Sequence, residues 1–325
     1  MVKIDLITGF LGSGKTTFLK KYAKWLLEKG QKIGILENDF GAVNVDMLLL
    51  HELLGENCEL EMIAGGCDSQ THVRRFRTKL IAMGMCGYDR VLVEPSGIYD
   101  VDEFFDVLRE EPLDAWYEIG NVIAVVDAKL EEDLSEEAEY LLASETANAG
   151  RIFLSHADTA APEQIQKTVK HVNRALAQMQ CKRQLVLGKE LIPVNVQEIS
   201  RQELEAADSC GYVLEAYRKL DMEDCKGFDS LYFMNMKMKP EALKRAAERI
   251  LQDSACGSVF RIKGFLPDEK DKWLQLNATH NGIELQKAAA GQEVLIVIGE
   301  GLCGEKIRPL LEAAAQDMAE GMDSI

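Results

Sequence analysis

The sequence predicts an α/β protein: a doubly wound, mostly parallel sheet followed by a smaller α+β C-terminal domain. Short β-type runs alternate with helical ones from residue 1 to about 200, and such alternation puts helices on both faces of a parallel sheet. A glycine-rich turn with a lysine joins the first of these runs to the first helix. After residue 228 the order changes to runs of strands flanked by helices, the pattern of an α+β unit.

The first strand, Lys3–Thr8, opens with the apolar residues Val2, Ile4, Leu6 and Ile7. Gly9-Phe10-Leu11-Gly12-Ser13-Gly14-Lys15-Thr16 follows and fits G-x-x-x-x-G-K-[ST] between a strand and a helix, which makes the sheet that of a P-loop NTPase. Gly9, Gly12 and Gly14 let the backbone wrap closely, so that amides from Ser13 to Thr17 point at phosphate oxygens. Lys15 reaches the β- and γ-phosphates, and the Thr16 hydroxyl binds Mg²⁺. The helix then places Leu19, Tyr22, Ala23, Leu26 and Leu27 on one face and stops at Gly30.

The second strand, Lys32–Glu37, runs into Glu37-Asn38-Asp39-Phe40-Gly41. Carboxylates there, Glu37 or Asp39, can hold Mg²⁺ or orient an attacking water. A plain turn built from Asn38, Asp39 and Gly41 is the other reading, and both stay open. Leu60–Ile63 is the third strand. The helical stretch Thr71–Met83 carries Arg74, Arg75 and Arg77, which read as a solvated face rather than as catalytic groups. The fourth strand, Arg90–Glu94, ends in Glu94-Pro95-Ser96-Gly97, where the carboxylate reaches the Mg²⁺ shell and the Gly97 amide senses the γ-phosphate.

Asn121–Asp127 is the fifth strand. The acid-rich stretch from Glu131 to Glu145, with Glu136, Glu137 and Glu139, reads as a solvated helix face. The sixth strand, Arg151–Ser155, leads into Ser155-His156-Ala157-Asp158. A carboxylate at Asp158 accepts both N1–H and the 2-amino hydrogens of guanine, which adenine cannot offer. The usual sequence at such a place is Asn-Lys-x-Asp. Here Ser155 stands in for the Asn and His156 stacks where the Lys stem would, so GTP is expected over ATP. The seventh strand is Leu191–Asn195.

The expected organisation is therefore a nucleotide-binding domain over residues 1–200, a linker over 201–228 and a C-terminal domain over 229–325. In the last, strands are expected at Leu231–Lys237, Ser258–Phe265, Trp273–Asn277, Gly282–Lys287 and Glu293–Gly299, with helices at Pro240–Gln252 and Gly304–Gln316.

The 325 residues carry a formal net charge of −17, which argues against nucleic acid and against an anionic membrane surface as partners. No apolar run is long enough to span a bilayer, and strand pattern begins at once, leaving no room for a signal peptide. Eight scattered cysteines suit reduced thiols in a cytoplasm. Cys58, Cys86, Cys181, Cys210, Cys225, Cys256 and Cys303 show no ligand spacing and read as structural. Five histidines with no His-rich tail fit poorly with metal storage.

In this order the pieces resemble the CobW-like family of P-loop GTPases, relatives of the nickel-insertion GTPases of urease and hydrogenase maturation. Gly9–Thr17 resembles its phosphate loop, and Glu37–Gly41 its Glu-Asn-Glu-Phe-Gly element, with Asp39 in place of the second Glu. Glu94–Gly97 is similar to its Glu-x-x-Gly element, and Val125-Val126-Asp127-Ala128 to the strand that follows. Arg261–Phe265 and Val297–Gly299 resemble its C-terminal domain. The resemblance implies a GTPase acting with Mg²⁺ as a metallochaperone, for zinc, cobalt or another transition metal, or as a metallocofactor-assembly factor serving a client metalloprotein. Its hydrolysis is expected to be slow, since no arginine or glutamine can be placed against the γ-phosphate.

The family's metal element is Gly-Cys-x-Cys-Cys, and here it reads Gly66-Cys67-Asp68-Ser69-Gln70. Only Cys67 remains, and a hydroxyl and an amide replace two soft thiolates. A substitute site from Cys67, Asp68 and His72, with Glu37, competes with a structural reading in which His72 sits on a helix surface. Two functions stay open: a metallochaperone, and a metal-free nucleotide-dependent switch or activator of a client enzyme. Self-association stays open too.

Overall fold

The computed structural model describes residues 1–39, 49–64, 69–97, 99–219, 228–268, 272–288 and 291–316, with the backbone alone at 38, 39, 64, 69, 70 and 316. Phe40, Gly41, Gly66, Cys67, Asp68 and Cys225 lie outside the described residues. Two compact units divide the chain, Met1–Asp221 and Met222–Ile325.

The first unit holds a seven-stranded sheet in the order β3-β2-β4-β1-β5-β6-β7. Its strands are β1 (Val2–Thr8), β2 (Ile33–Asp39), β3 (Cys58–Ala64), β4 (Arg90–Pro95), β5 (Tyr117–Asp127), β6 (Arg151–Ser155) and β7 (Leu191–Pro193). Every pairing is parallel, as the alternation of strand and helix patterns requires. Because both faces are covered, the central strands are continuous apolar runs; β4 is buried along its whole length. α1 (Lys15–Glu28) covers one face, burying Phe18, Leu19, Tyr22, Ala23 and Leu26 against Ile7, Ile35, Leu92, Ile123 and Phe153. Gly30, at φ +80°, takes the left-handed turn that ends it.

α2 (Ser69–Gly84) buries Phe76, Leu80 and Met83 and leaves Arg74 and Arg75 exposed. Arg77 reaches the Glu111 carbonyl at 2.7 Å and Glu110 at 3.2 Å, so the basic cluster is a helix surface. His72 departs from the expectation of a surface position. It is fully buried, its ring 6.5 Å from that of Tyr99.

The acid-rich stretch corrects the sequence reading most clearly. α4 (Glu136–Ala147), which follows α3 (Val101–Leu108), is buried at every position from 138 to 147. It packs against α3 and α5 (Pro162–Gln178), so Glu139 and Glu145 lie inside the protein rather than in solvent. Glu139 is accommodated by His171 at 2.8 Å and Arg174 at 3.1 Å, both on α5. Residues 201–208, read as the start of a linker, form α6 (Arg201–Asp208), whose Leu204 and Ala207 join the core beneath α1.

The second unit is an antiparallel sheet in the order β11-β10-β9-β12-β8. It comprises β8 (Phe228–Met234), β9 (Ser258–Pro267), β10 (Trp273–Thr279), β11 (Gly282–Ala288) and β12 (Val294–Glu300). α7 (Pro240–Gln252) and α8 (Gly304–Gln316) lay Leu243, Ala247, Ile250, Ile307 and Leu311 over Val259, Ile262, Leu276, Leu295 and Val297. Both helices span the residues their patterns predict. No helix among the described residues is long and apolar enough to cross a membrane.

Candidate functional site

β1 lies between β4 and β5, so the turn leaving β1 emerges beside the carboxyl ends of both neighbours. Gly9 sits at φ +144°, and a Cβ there would stand 2.0 Å from the Val125 carbonyl oxygen of β5; no other residue fits. Gly12 and Gly14 take φ +79° and +96°, and Gly14 caps the amino end of α1. The first turn of that helix holds no acid, which leaves its positive end to an external anion.

Lys15 is buried, with Nζ donating to the carbonyls of Gly9 at 2.5 Å and Phe10 at 3.4 Å. The Thr16 hydroxyl donates to Glu94 Oε1 at 2.7 Å. Thr17 is half-buried, and Ser13 is buried with its Oγ lacking a hydrogen-bond partner among the described residues. Glu37 and Glu94 are register partners across β2 and β4, so the sheet brings these two carboxylates together. Asp39 ends β2, its side chain outside the described atoms. Gly97, just past β4, abuts the phosphate loop: a Cβ there would lie 2.7 Å from the Leu11 amide nitrogen. A hydroxyl and two carboxylates are hard oxygen donors, a set that fits Mg²⁺.

At the other side of the loop, β6 delivers Ser155, buried, its Oγ 3.3 Å from the Val126 carbonyl it donates to. A Cβ added at Gly14 would stand 3.9 Å from Ser155 Cβ, so this strand end backs directly onto the loop. His156 adopts φ +53° and brings Nδ1 to 3.1 Å from Asp127 Oδ2. Asp158 Oδ2 accepts from Asn195 Nδ2 at 3.2 Å, while Asn195 Oδ1 caps the next turn by accepting from the Gln197 amide. The structure thus gathers Lys15, Thr16, Glu37, Glu94 and Gly97 on one side of the loop and Ser155, His156 and Asp158 on the other.

Sequence reasoning misses three groups here. Asp127 ends an apolar strand just as Glu94 does, and that signal is sufficient to find it. Asn195 carries the helix-cap signature of Asn beside a strand end. Glu145 has no signal, since its neighbours are acidic and its burial depends on packing.

The metal reading gains no cluster. Cys67 and Asp68 lie outside the described residues, and the described residues contain no group of three His, Cys, Asp or Glu side chains able to hold an ion. Burial, with Glu59 nearby, pushes the Cys58 thiol up to about 11, and burial beside Asp5 pushes Cys210 up to about 12. Protonated thiols of this kind are packing residues, as the sequence suggests.

The family model "CobW/HypB/UreG, nucleotide-binding domain" matches residues 3–186, more than half of the chain. "Cobalamin synthesis protein cobW C-terminal domain" matches residues 234–315. Zinc chaperone YjiA of Escherichia coli is 29% identical over 184 residues, 53% of this chain and 55% of that protein. Zinc chaperone YeiR of the same organism is 29% identical over 164 residues, 50% and 49% of the two chains. The chain spans about half the length of the curated relatives it matches. Among solved structures, Zn(II)-bound YjiA GTPase from E. coli aligns over 96% of this chain and 98% of its own, at 20% identity and a TM-score of 0.39. HypB from Helicobacter pylori in complex with nickel aligns over 63% and 82%, at 17% identity and a TM-score of 0.40. From the two family matches, the chain belongs to the CobW/HypB/UreG family and carries its nucleotide-binding domain together with a CobW C-terminal domain.

Proposed function

We propose that this chain binds and slowly hydrolyses GTP with Mg²⁺, and uses the nucleotide state to deliver a transition metal, zinc foremost, or to assemble a metallocofactor on a client protein. The observation that carries the reading is the meeting of the phosphate loop with the end of β4. Thr16 bonds Glu94 at 2.7 Å, and Gly97 lies against the backbone at Leu11. A change at the γ-phosphate would be felt at both contacts.

Lys15 and the loop amides stabilise charge on the transferring phosphoryl group, while Thr16 and Glu94 would hold Mg²⁺. When bound, Mg²⁺ neutralises charge on the phosphate oxygens. Glu37 and Asp39 orient the attacking water or the metal's own waters. Asp158, steadied by Asn195, reads the guanine edge, and His156, held by Asp127, packs on its face. The zinc-chaperone names of YjiA and YeiR support the metal cargo, with Cys67 as the one thiolate retained at the family's metal element. The division into a nucleotide-binding domain and a C-terminal domain, and a reducing cytoplasm, belong to the same proposal. The described cysteines, all free, support that compartment.

A specific observation favours a second reading. The stretch Cys67–Gln70 has lost the two further thiolates of a soft site, which suits a metal-free switch that activates a client enzyme. Calorimetric titration with GTP and ATP, run beside elemental analysis of the purified protein, separates the readings. GTP is expected to bind at least about tenfold more tightly than ATP; equal affinity overturns the role of Asp158. A transition metal near one per chain, lost in Cys67→Ser, supports the metallochaperone. Its absence, together with GTP-dependent client binding, supports the switch.

A further inference from the structure

The C-terminal unit brings together two cysteines that no sequence spacing connects. β9 and β12 pair antiparallel, with Val259 opposite Gly299 and Ser258 opposite Glu300 at the end of the ladder. The two chains stay together past that end. Gly257 and Gly301 sit at φ +98° and +56°, and a Cβ at Gly257 would stand 2.6 Å from the Gly301 carbonyl oxygen. Backbone therefore runs directly against backbone, which glycine alone permits. Beyond the glycines the Cys303 amide donates to the Cys256 carbonyl at 3.0 Å. Residues joined this way across antiparallel chains have α-carbons about 5.5 Å apart, within the roughly 4.4–6.8 Å that a disulfide spans.

The two thiols differ in what reaches them. Cys256 is fully buried, packed in the core that α7 and α8 form on the sheet. Cys303 is half-buried and stands just before α8, its carbonyl accepting from the Lys306 and Ile307 amides of the first turn. Both are free thiols. Burial raises the Cys256 thiol above its ordinary value, Asp253 and Cys303 add to this, and Lys306 opposes it. Cys303 is thus the thiol open to an external reagent, and Cys256 the one within reach of Cys303.

We propose that Cys256 and Cys303 are a dithiol modification site of the C-terminal unit, closed to a disulfide by a low-molecular-weight disulfide of the glutathione type. Cys303 Sγ attacks one sulfur of the reagent, forming a mixed disulfide and releasing one glutathione. Cys256 Sγ then attacks Cys303 Sγ, which breaks the mixed disulfide, forms the Cys256–Cys303 bond and releases the second glutathione. Two electrons pass from the cysteines to the reagent, and their two protons leave on the two glutathione thiols. The new bond ties the start of α8 to the end of β9 and so fastens the helix over the sheet. In a reducing cytoplasm the pair rests as two thiols, and an oxidised thiol pool closes it.

The test is oxidation of the folded full chain with glutathione disulfide, alkylation of the remaining thiols, and peptide mapping without reductant. Cys86, exposed in the first unit, is the internal reference, and the dose is raised until it carries glutathione. The Cys256–Cys303 cross-link is expected to be at least about tenfold more abundant than any other cysteine pair, because the fold holds these two at high effective concentration. It should vanish with dithiothreitol. In protein unfolded in urea before oxidation, it should fall to the level of the other pairs. Cys256→Ala is expected to stop at a glutathione adduct on Cys303, and Cys303→Ala to leave Cys256 unmodified. Folded protein in which Cys86 is fully modified and Cys256 stays unlinked to Cys303 overturns the proposal. So does a cross-link no more abundant than in urea. If either variant melts lower than the unaltered protein, the map of the unaltered protein in its folded and urea-unfolded states decides by itself.

Discussion

Thr16 on α1 donates its hydroxyl to Glu94 Oε1 at the end of β4, 2.7 Å away across 78 positions of sequence. The contact exists because β1 and β4 are neighbours in the sheet, with Leu6 in register with Val93. In the proposed function, this hydroxyl and this carboxylate would hold Mg²⁺. Glu94→Gln keeps the shape but removes the charge, and is expected to lower the GTP turnover number by about 100-fold. Nucleotide affinity measured in EDTA should stay within a few fold of the unaltered protein. Removing Mg²⁺ from the unaltered protein should reproduce the loss of turnover, which a phosphate-release assay measures directly.

In the proposed function, base selection rests on a second long-range pair, Asn195 Nδ2 on Asp158 Oδ2 at 3.2 Å. Asn195→Ala frees the carboxylate to swing and is expected to weaken GTP binding by roughly tenfold, leaving ATP binding unchanged. Asp158→Ala is expected to remove roughly 100-fold or more of GTP affinity, since guanine donors are then left without acceptors. Competition binding with both nucleotides measures the selectivity ratio.

Glu103 on α3 gives a stability prediction with a definite sign. Burial raises its carboxyl from 4.5 to about 7, with Asp100 and Asp106 adding to the effect. A folded-state value above the unfolded one means that the native protein binds the proton more tightly. The stabilisation is therefore complete below pH 4.5 and is lost as the pH rises through about 7. Glu103→Gln should gain roughly 2–3 kcal/mol over the unaltered protein between pH 5 and pH 8. Urea midpoints of the two proteins at both pH values check this.

How much is legible in the sequence follows from what sets each feature. The strands of the first unit are legible because a sheet covered on both faces demands continuous apolar runs, as in Val91-Leu92-Val93. The phosphate loop is legible because Gly9 and Gly14 answer to backbone geometry that other residues cannot adopt. The burial of α4 is hidden: Glu136, Glu137 and Glu139 look like solvent-facing charge, and only the partners His171 and Arg174, 32 and 35 positions away, reveal the interior. His72 misleads for the same reason: it is fully buried, its ring 6.5 Å from that of Tyr99, a neighbour from beyond the next strand. Asp127 with His156 and Asn195 with Asp158 are pairings between strand ends, which follow from strand order and not from local pattern.

Asp5, inside β1, shows a polar group that local pattern marks as an anomaly and the fold explains. Its carboxylate accepts from Arg90 at 2.7 Å, from Tyr22 at 2.9 Å and from the Asn121 amide at 2.8 Å. Asp5→Ala leaves Arg90 buried with Asp208 as its one remaining acidic partner among the described residues, and is expected to cost about 3–5 kcal/mol of unfolding free energy. Asp5→Leu combined with Arg90→Met should cost less than Asp5→Ala alone, because no charge is then stranded. Urea denaturation of the three variants checks the order.

The most direct test of the whole account is the nucleotide affinity of Lys15→Ala. Its ammonium donates to the carbonyls of Gly9 and Phe10, and in the proposed function it serves the β- and γ-phosphate oxygens. By isothermal calorimetry with GTP and Mg²⁺, the variant is expected to bind at least about 100-fold more weakly while its circular dichroism is unchanged. A folded Lys15→Ala protein that binds GTP as tightly as the unaltered chain would contradict it.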